Sequence, residues 1–298
     1  MRTVDKISVY IPAYNAAEYL PGAIEGLLAQ ALPANEILVI DDGSKDSTAE
    51  IVARYPTATL VRHPRNRGLA AARNTAFHTA RHPLVASLDA DCVPDPGWLA
   101  GLVRHFEDPK IAGVGGRLIE ANLRTVADRW RRAHMPQEWG DQPVRNPKFL
   151  FGCNNMFRKS AVMETGGYDE SMRTNGEDLY MSKQLRARNW DIVYDPEPRA
   201  YHWRRDTARS VLDNYWRWWS LGVGAYANGA TLRSVVGHAL FVHFRRTFVD
   251  QVQRDLKGRR FDLLGLDLAA LFYFPYRDFC LLLGAPSKSP SRRAPSEV

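Results

Sequence analysis

The run Leu84-Val85-Ala86-Ser87-Leu88 is apolar apart from one serine and stops at Asp89-Ala90-Asp91. It reads as a buried strand that ends in acid. Residues two apart on an extended chain point to the same side, so Asp89 and Asp91 face one crevice at the carboxyl edge of a sheet. Open α/β sheets bind ligands at that edge. Two hard oxygen donors there suit a divalent cation, Mg²⁺ or Mn²⁺, which would hold the phosphates of a nucleotide. The local alternative is a turn and cap for the helix expected from Pro96 to Phe106.

The chain before this strand has the same grammar. Ile7 to Ile11 is a short β-rich run stopped by Pro12, and an apolar-periodic helix follows from about Ala16 to Gln30. Ile37-Leu38-Val39-Ile40 ends in Asp41-Asp42-Gly43-Ser44, after which Asp46-Ser47-Thr48 caps a helix through Tyr55. A strand near Thr59 to Arg62 leads through Asn66-Arg67-Gly68 into the alanine-rich segment Leu69 to Arg81. This alternation implies an α/β fold with a doubly wound, mostly parallel sheet. Strand ends then present Asn15, Asp41, Asp42, Asp89 and Asp91 on one side, with Arg67 and Arg73 as counter-charges for a diphosphate. Asp42 and Ser44 as a simple helix cap, and Arg73 on a solvated face, are the competing readings. Neither a Gly-x-x-x-x-Gly-Lys loop nor a Gly-x-Gly-x-x-Gly turn follows the first strand, so an ATPase or dinucleotide enzyme is not signalled.

Charge narrows the partners. The 298 residues carry a net charge of +7, which favours an anionic partner. The basic residues are spread along the chain without a nucleic-acid motif, so nucleic acid is not expected. Cys92, Cys153 and Cys280 are an odd, scattered set, and Met1 to Lys6 lacks an apolar leader core. The expectation is a cytoplasmic protein, with the inner membrane face as a peripheral location.

Further on, Phe149-Leu150-Phe151 reads as an apolar strand leading into Gly152-Cys153-Asn154-Asn155. Gly166-Gly167-Tyr168-Asp169 follows, and then Gly176-Glu177-Asp178 opens an amphipathic helix that ends near Arg188. Acids in a first helical turn complement the dipole, and one that lines a pocket can also act as a general base.

Pro12-Ala13-Tyr14-Asn15, Asp41-Asp42-Gly43-Ser44, Asn66-Arg67-Gly68 with Arg73-Asn74, Asp89-Ala90-Asp91, Gly166-Gly167-Tyr168-Asp169 and Glu177-Asp178, in this order, resemble the signature of family 2 glycosyltransferases. The resemblance runs from residue 7 to about 205. It implies a GT-A fold, a nucleoside diphosphate sugar donor with a UDP-sugar first choice, a divalent metal and inversion at the anomeric carbon. On that resemblance Pro12, Tyr14, Asn15, Asp41, Asp42, Arg67, Gly68 and Arg73 serve the nucleotide, and Asp89 the ribose or donor sugar. Asp91 holds the metal with His202 as a further ligand, Asp178 is the base, and Asn154 and Glu177 belong to the acceptor side. A non-catalytic sugar-nucleotide or glycan-binding module and a sugar-phosphate nucleotidyltransferase are the alternatives.

The rest divides into a helical region, 206–284, and a Pro-, Ser- and Arg-rich tail, 285–298, expected to be disordered. Asp206 to Ala227 reads as a tryptophan-rich helix, and Asn214-Tyr215-Trp216-Arg217-Trp218 within it resembles the Gln-x-x-Arg-Trp signature of polysaccharide synthases, with Asn in place of Gln. That implies Arg217 on the diphosphate and Trp218 under a sugar, or both as core. Leu232 to Arg260 is amphipathic and basic, and Phe261 to Leu283 is apolar but interrupted by charges. The pair suits an interfacial surface on an anionic membrane near a glycan or lipid-linked acceptor, or else a cap or homodimer surface.

Overall fold

The computed structural model describes residues 6–172, 175–221 and 230–283. The expected tail, 285–298, and part of the helix expected to reach Ala227 lie outside them. The chain forms two compact units: 1–121 with 137–204, and 122–136 with 205–298. The segment 122–136, within the span of the resemblance, folds with the C-terminal helices.

The first unit is a mixed α/β structure. Strands β1 (Ile7–Ala13), β2 (Glu36–Asp41), β3 (Ala58–Arg62) and β4 (Leu84–Leu88) are parallel. They occupy the order β3-β2-β1-β4, and the sheet continues through strands of mixed direction. Antiparallel to β4 runs Asn154–Arg158, which pairs in turn with Ile111–Glu120; the latter lies parallel to the long strand Asp191–His202. The expected strand at Phe149–Phe151 is thus displaced. Phe149 and Phe151 pack on Trp139 as an aromatic cluster, and the polar residues from Asn154 onward form the strand.

Alternation along each parallel strand explains the layering. Val9, Ile11, Val39, Ala86 and Leu88 enter one apolar cluster, with Leu20, Ile24 and Trp98 from helices on that face. Tyr10, Leu38, Ile40 and Val85 enter the other, with Ala72, Phe77 and Met181. Both faces are therefore buried, and the carboxyl edge is where the parallel strands remain open to polar loops.

The second unit is helical among the described residues. Ala208–Trp216 continues as a π-helix over Arg217–Leu221, and a second π-helix spans His238–Val249 between Leu232–Gly237 and Asp250–Lys257. Helix Leu264–Leu282 completes it and contains Pro275. Its core joins Trp130, Trp216, Tyr215 and Phe274, with Tyr215 stacked on Phe274 at 5.4 Å. No described helix is long and apolar enough to cross a membrane.

A register shift in Ile111–Glu120 falls at Gly116, where an added Cβ would lie 2.1 Å from the Pro198 carbonyl oxygen. Backbone there has no rotamer to yield. Gly116→Ala is expected to destabilise the first unit by about 1–3 kcal/mol, read as a lower urea midpoint.

Candidate active site

The loop after β1 and the loop after β2 are built on each other. Asn15 has φ 49°, donates its N–H to Ser44 Oγ at 2.9 Å and accepts from Lys45 N–H at 2.8 Å through Oδ1. Asp41 is fully buried, accepts from Ser44 N–H at 2.8 Å and pairs with Arg62 Nε at 3.0 Å. Asp42 accepts from the N–H groups of Arg67 and Gly68, both at 2.8 Å, and lies 2.7 Å from His63 Nδ1. The two aspartates therefore shape these loops. Beside them opens a cleft of about 740 Å³, lined by Tyr14, Gly43, Ser44, Lys45 and the segment Arg62 to Asn66. Tyr14 is exposed, Pro12 is buried in β1, and Arg67 reaches outward to Glu170 at 3.0 Å.

Arg73 corrects an expectation. Its guanidinium is buried, donating through Nη1 to Tyr10 Oη, Ser87 Oγ and the Gly152 carbonyl at 3.1, 2.9 and 2.7 Å. Nη2 lies 3.9 Å from Asp89 Oδ1, and Nε lies 3.6 Å from Glu177 Oε1. A group so enclosed does not meet a diphosphate directly; it sets the charge beneath Asp89 and Glu177. Gly152 is the companion that sequence reading missed, since a Cβ there would come within 2.3 Å of Nη2.

Asn154 is the second correction. Its side chain is fully buried, with Oδ1 accepting from Trp98 Nε1 at 2.6 Å and Nδ2 donating to the Arg117 carbonyl at 2.8 Å. Both ends of the amide are used inside the sheet and the side chain is fully buried, so a sugar does not reach it.

Around Arg73 the carboxylates are poised. Burial, tempered by Arg73 and reinforced by Asp91, raises Asp89 to about 6. Burial and the adjacent Asp178 push Glu177 up to about 7, against the pull of Arg73. Burial also raises Asp178, opposed by Arg73 and backbone N–H donors. Glu177 is enclosed while Asp178 is half-buried, accepting from Leu179 N–H at 2.7 Å. Enclosure excludes Glu177 as a direct acceptor contact in this conformation and leaves Asp178 as the reachable acid.

Asp91 and His202 lie together at the ends of their strands. Asp91 Oδ1 is 3.5 Å from His202 Nε2, and His202 Nδ1 is 2.8 Å from Glu120 Oε2. Burial lowers the histidine, but Asp91 and Glu120 outweigh it and hold it at about 9. A positive charge is thus required between two enclosed carboxylates, and an oxygen and a nitrogen donor meet where a divalent cation fits. Cys92 Sγ lies within the same group, yet burial and Asp91 raise its thiol far above neutrality, so it does not offer a thiolate.

Arg217 and Trp218 belong to the second unit. Arg217 Nε pairs with Asp213 Oδ2 at 3.2 Å, and burial followed by Arg131 lowers its pKa. Trp218 packs partly buried against the helical core.

A sheet with parallel strands feeding acids to one edge, followed by a mixed half that adds a histidine, defines a GT-A type fold. Mannosyltransferase PcManGT from Pyrobaculum calidifontis, solved with GDP-Man and Mn²⁺, matches with TM-score 0.61 and 18% identity over 95% of this chain and 85% of that one. S. aureus TarS 1-349 with UDP-GlcNAc matches with TM-score 0.60 and 17% identity over 94% and 92%. Residues 8–166 match the model for Glycosyl transferase family 2, and the chain belongs to that family. The pre-mycofactocin glycosyltransferase of Mycobacterium tuberculosis (strain ATCC 25618 / H37Rv) is 29% identical over 69% of this chain and 44% of its own. The poly-beta-1,6-N-acetyl-D-glucosamine synthase of Staphylococcus epidermidis is 30% identical over 67% and 50%. The chain spans about half the length of these curated relatives.

Glu177 ties the site to stability. Its pKa is raised in the folded chain from 4.5 to about 7, so the folded state holds more protons than the unfolded state across that window. Stability from this group is therefore full below about pH 4.5 and falls as pH rises to about 7. Glu177→Gln is expected to flatten that part of the dependence, measured by urea unfolding at both ends of the window.

Proposed function

We propose that the chain transfers a sugar from a nucleoside diphosphate sugar to an acceptor hydroxyl with inversion, in the synthesis of a cell-envelope polysaccharide or glycolipid. The observation that carries this reading is the convergence of Asp89, Glu177 and Asp178 around the buried Arg73. Family membership and the relatives' names support it. In this reading the nucleoside sits by Tyr14 in the cleft, where Lys45, Arg62 and Arg65 supply positive charge. A divalent cation, Mg²⁺ or Mn²⁺, held by Asp91 and His202, would supply charge opposite the diphosphate.

Asp178 receives the proton of the acceptor hydroxyl. The acceptor oxygen bonds to the anomeric carbon on the face opposite the diphosphate, whose bond to that carbon breaks with its electron pair. One displacement inverts the centre. Burial suits Asp178 to this, because a raised pKa makes its carboxylate a stronger base. Arg73 and Glu177 act by position: the guanidinium keeps Asp89 and Asp178 from both being protonated, and Glu177 holds the guanidinium. A non-catalytic binder has no use for a basic Asp178.

Turnover on a panel of nucleotide sugars, scored as metal-dependent release of nucleoside diphosphate, finds the donor. With that donor, Asp178→Asn should leave its dissociation constant unchanged and lower turnover by about 10²- to 10⁴-fold. A rate within about threefold of wild type would sink the assignment of the base.

The second unit fits a membrane role within this proposal. Leu268, Phe272, Tyr276, Phe279 and Leu283 recur at helical spacing and are exposed, as are Leu232, Val236, Leu240, Phe241 and Phe244. Phe241 is 74% and Phe272 68% accessible. Arg233, Arg245, Arg254, Lys257 and Arg259 are also exposed in this unit. Aromatic and basic surface together suit an anionic bilayer, which would bring a lipid-linked acceptor near. Full-length protein should float with anionic liposomes at low salt, and Phe241→Glu with Phe272→Glu should release it. Failure of the wild type to float, with a dimer seen by sedimentation, would make these stripes a subunit interface.

A further inference from the structure

His238, His243 and Asp278 converge in the second unit, apart from anything the transfer reaction uses. His243 Nε2 lies 2.7 Å and His238 Nδ1 3.4 Å from the same atom, Asp278 Oδ2. The three donor atoms all fall within 4.8 Å of one another. We infer that these residues form a transition-metal site of the Zn²⁺ class, joining the π-helix His238–Val249 to the helix Leu264–Leu282.

The backbone supplies the first argument. On an α-helix, residues five apart point about 140° away from each other and could not share a ligand. In this segment the turn is widened to i→i+5 bonding, which closes much of that angle and brings both imidazoles over one carboxylate. Their rings meet at 5.0 Å and 77°. π-Helical turns recur at functional sites, because the poorer backbone geometry needs compensation from what it positions.

Orientation of the carboxylate is the second. Trp216 Nε1 donates to Asp278 Oδ1 at 2.7 Å, which fixes the group and turns Oδ2 toward the two histidines. A donor held from behind in this way is the arrangement that sustains a metal ligand. Bonds of about 2.0–2.1 Å in a tetrahedron place neighbouring donors about 3.3 Å apart, close to the His238 separation. Two nitrogens and one oxygen leave a fourth position, and the half-buried His238 marks the side from which water can fill it.

A second cluster is already neutralised by the protein. His134 lies 3.0 Å from Asp255 and 3.7 Å from Asp267, but Arg260 already occupies Asp255 Oδ1 at 2.8 Å. A guanidinium there supplies the positive charge a metal would bring.

The test uses full-length, metal-stripped protein and Zn²⁺ alone. Wild type is expected to bind one more Zn²⁺ per chain than His238→Gln and to gain a Zn²⁺-dependent rise in Tm that the variant lacks. Co²⁺ in the same protein should give tetrahedral ligand-field bands that vanish in His238→Gln. Trp216→Phe, which removes the orienting N–H together with part of a buried indole, should weaken Zn²⁺ binding by about 10- to 100-fold. His238 is the ligand to change first, since its side chain is 15% accessible and its loss leaves the core intact. Equal Zn²⁺ content and equal Tm shifts in wild type and His238→Gln would overturn the site. So would the loss of all bound Zn²⁺ in Asp91→Ala, which leaves His238, His243 and Asp278 in place.

Discussion

One buried guanidinium holds the edge of the sheet together. Arg73 gathers Tyr10 from β1, Ser87 from β4 and the Gly152 carbonyl, and it lies beside Asp89 and Glu177. Acids this close together at one sheet edge would repel one another and shed their charge without it. With it they keep raised but useful pKa values, so the same contact that closes the fold tunes the site. Arg73 sits on the alanine-rich helix for a steric reason as well. Small neighbours, Ala70 to Ala72 and Ala76, let that helix lie close enough to the sheet for the guanidinium to reach across the strand ends.

This explains what was legible in the sequence and what was not. The strand ends were readable because period and polarity change together there: apolar runs stop at Asn15, Asp41 and Asp89. Arg73 and Asn154 were misread because a polar residue announces only that it needs partners, never whether those partners are protein or ligand. Asn154 spends its amide on Trp98 and Arg117, residues 56 and 37 positions away, and nothing local marks either. Gly152 was invisible for the opposite reason, since its role is to be absent where a guanidinium passes. Segment 122–136 lies within the stretch that carries the resemblance, yet Trp130 and Arg131 find their partners at Asp267 and Asp206. Long-range pairs of this kind have no sequence period.

The helical unit is organised by a different rule. Its buried indoles each carry one N–H that must be satisfied, and each meets an aspartate: Trp130 with Asp267 and Trp216 with Asp278. Two of the charges that interrupt the apolar run after Phe261, Asp267 and Asp278, are thereby accounted for. They make it a poor membrane span because they face the indoles of the unit's own core, while the aromatic residues between them remain at the surface.

Hydrogen-bond supply separates the acids of the first unit into two kinds. Asp42 receives two backbone N–H groups and sits against His63, and Asp41 receives a backbone N–H and an arginine. These two carboxylates serve as acceptors around which the loops fold. Glu177 is enclosed and Asp89 largely so, both with fewer donors, and desolvation then outweighs the attraction of Arg73 and lifts both. Asp178 falls between them: one backbone N–H holds its orientation and burial raises its affinity for a proton. An acid that is held, basic and half-exposed can exchange a proton with something outside the protein. Glu177, fully enclosed beside it, cannot.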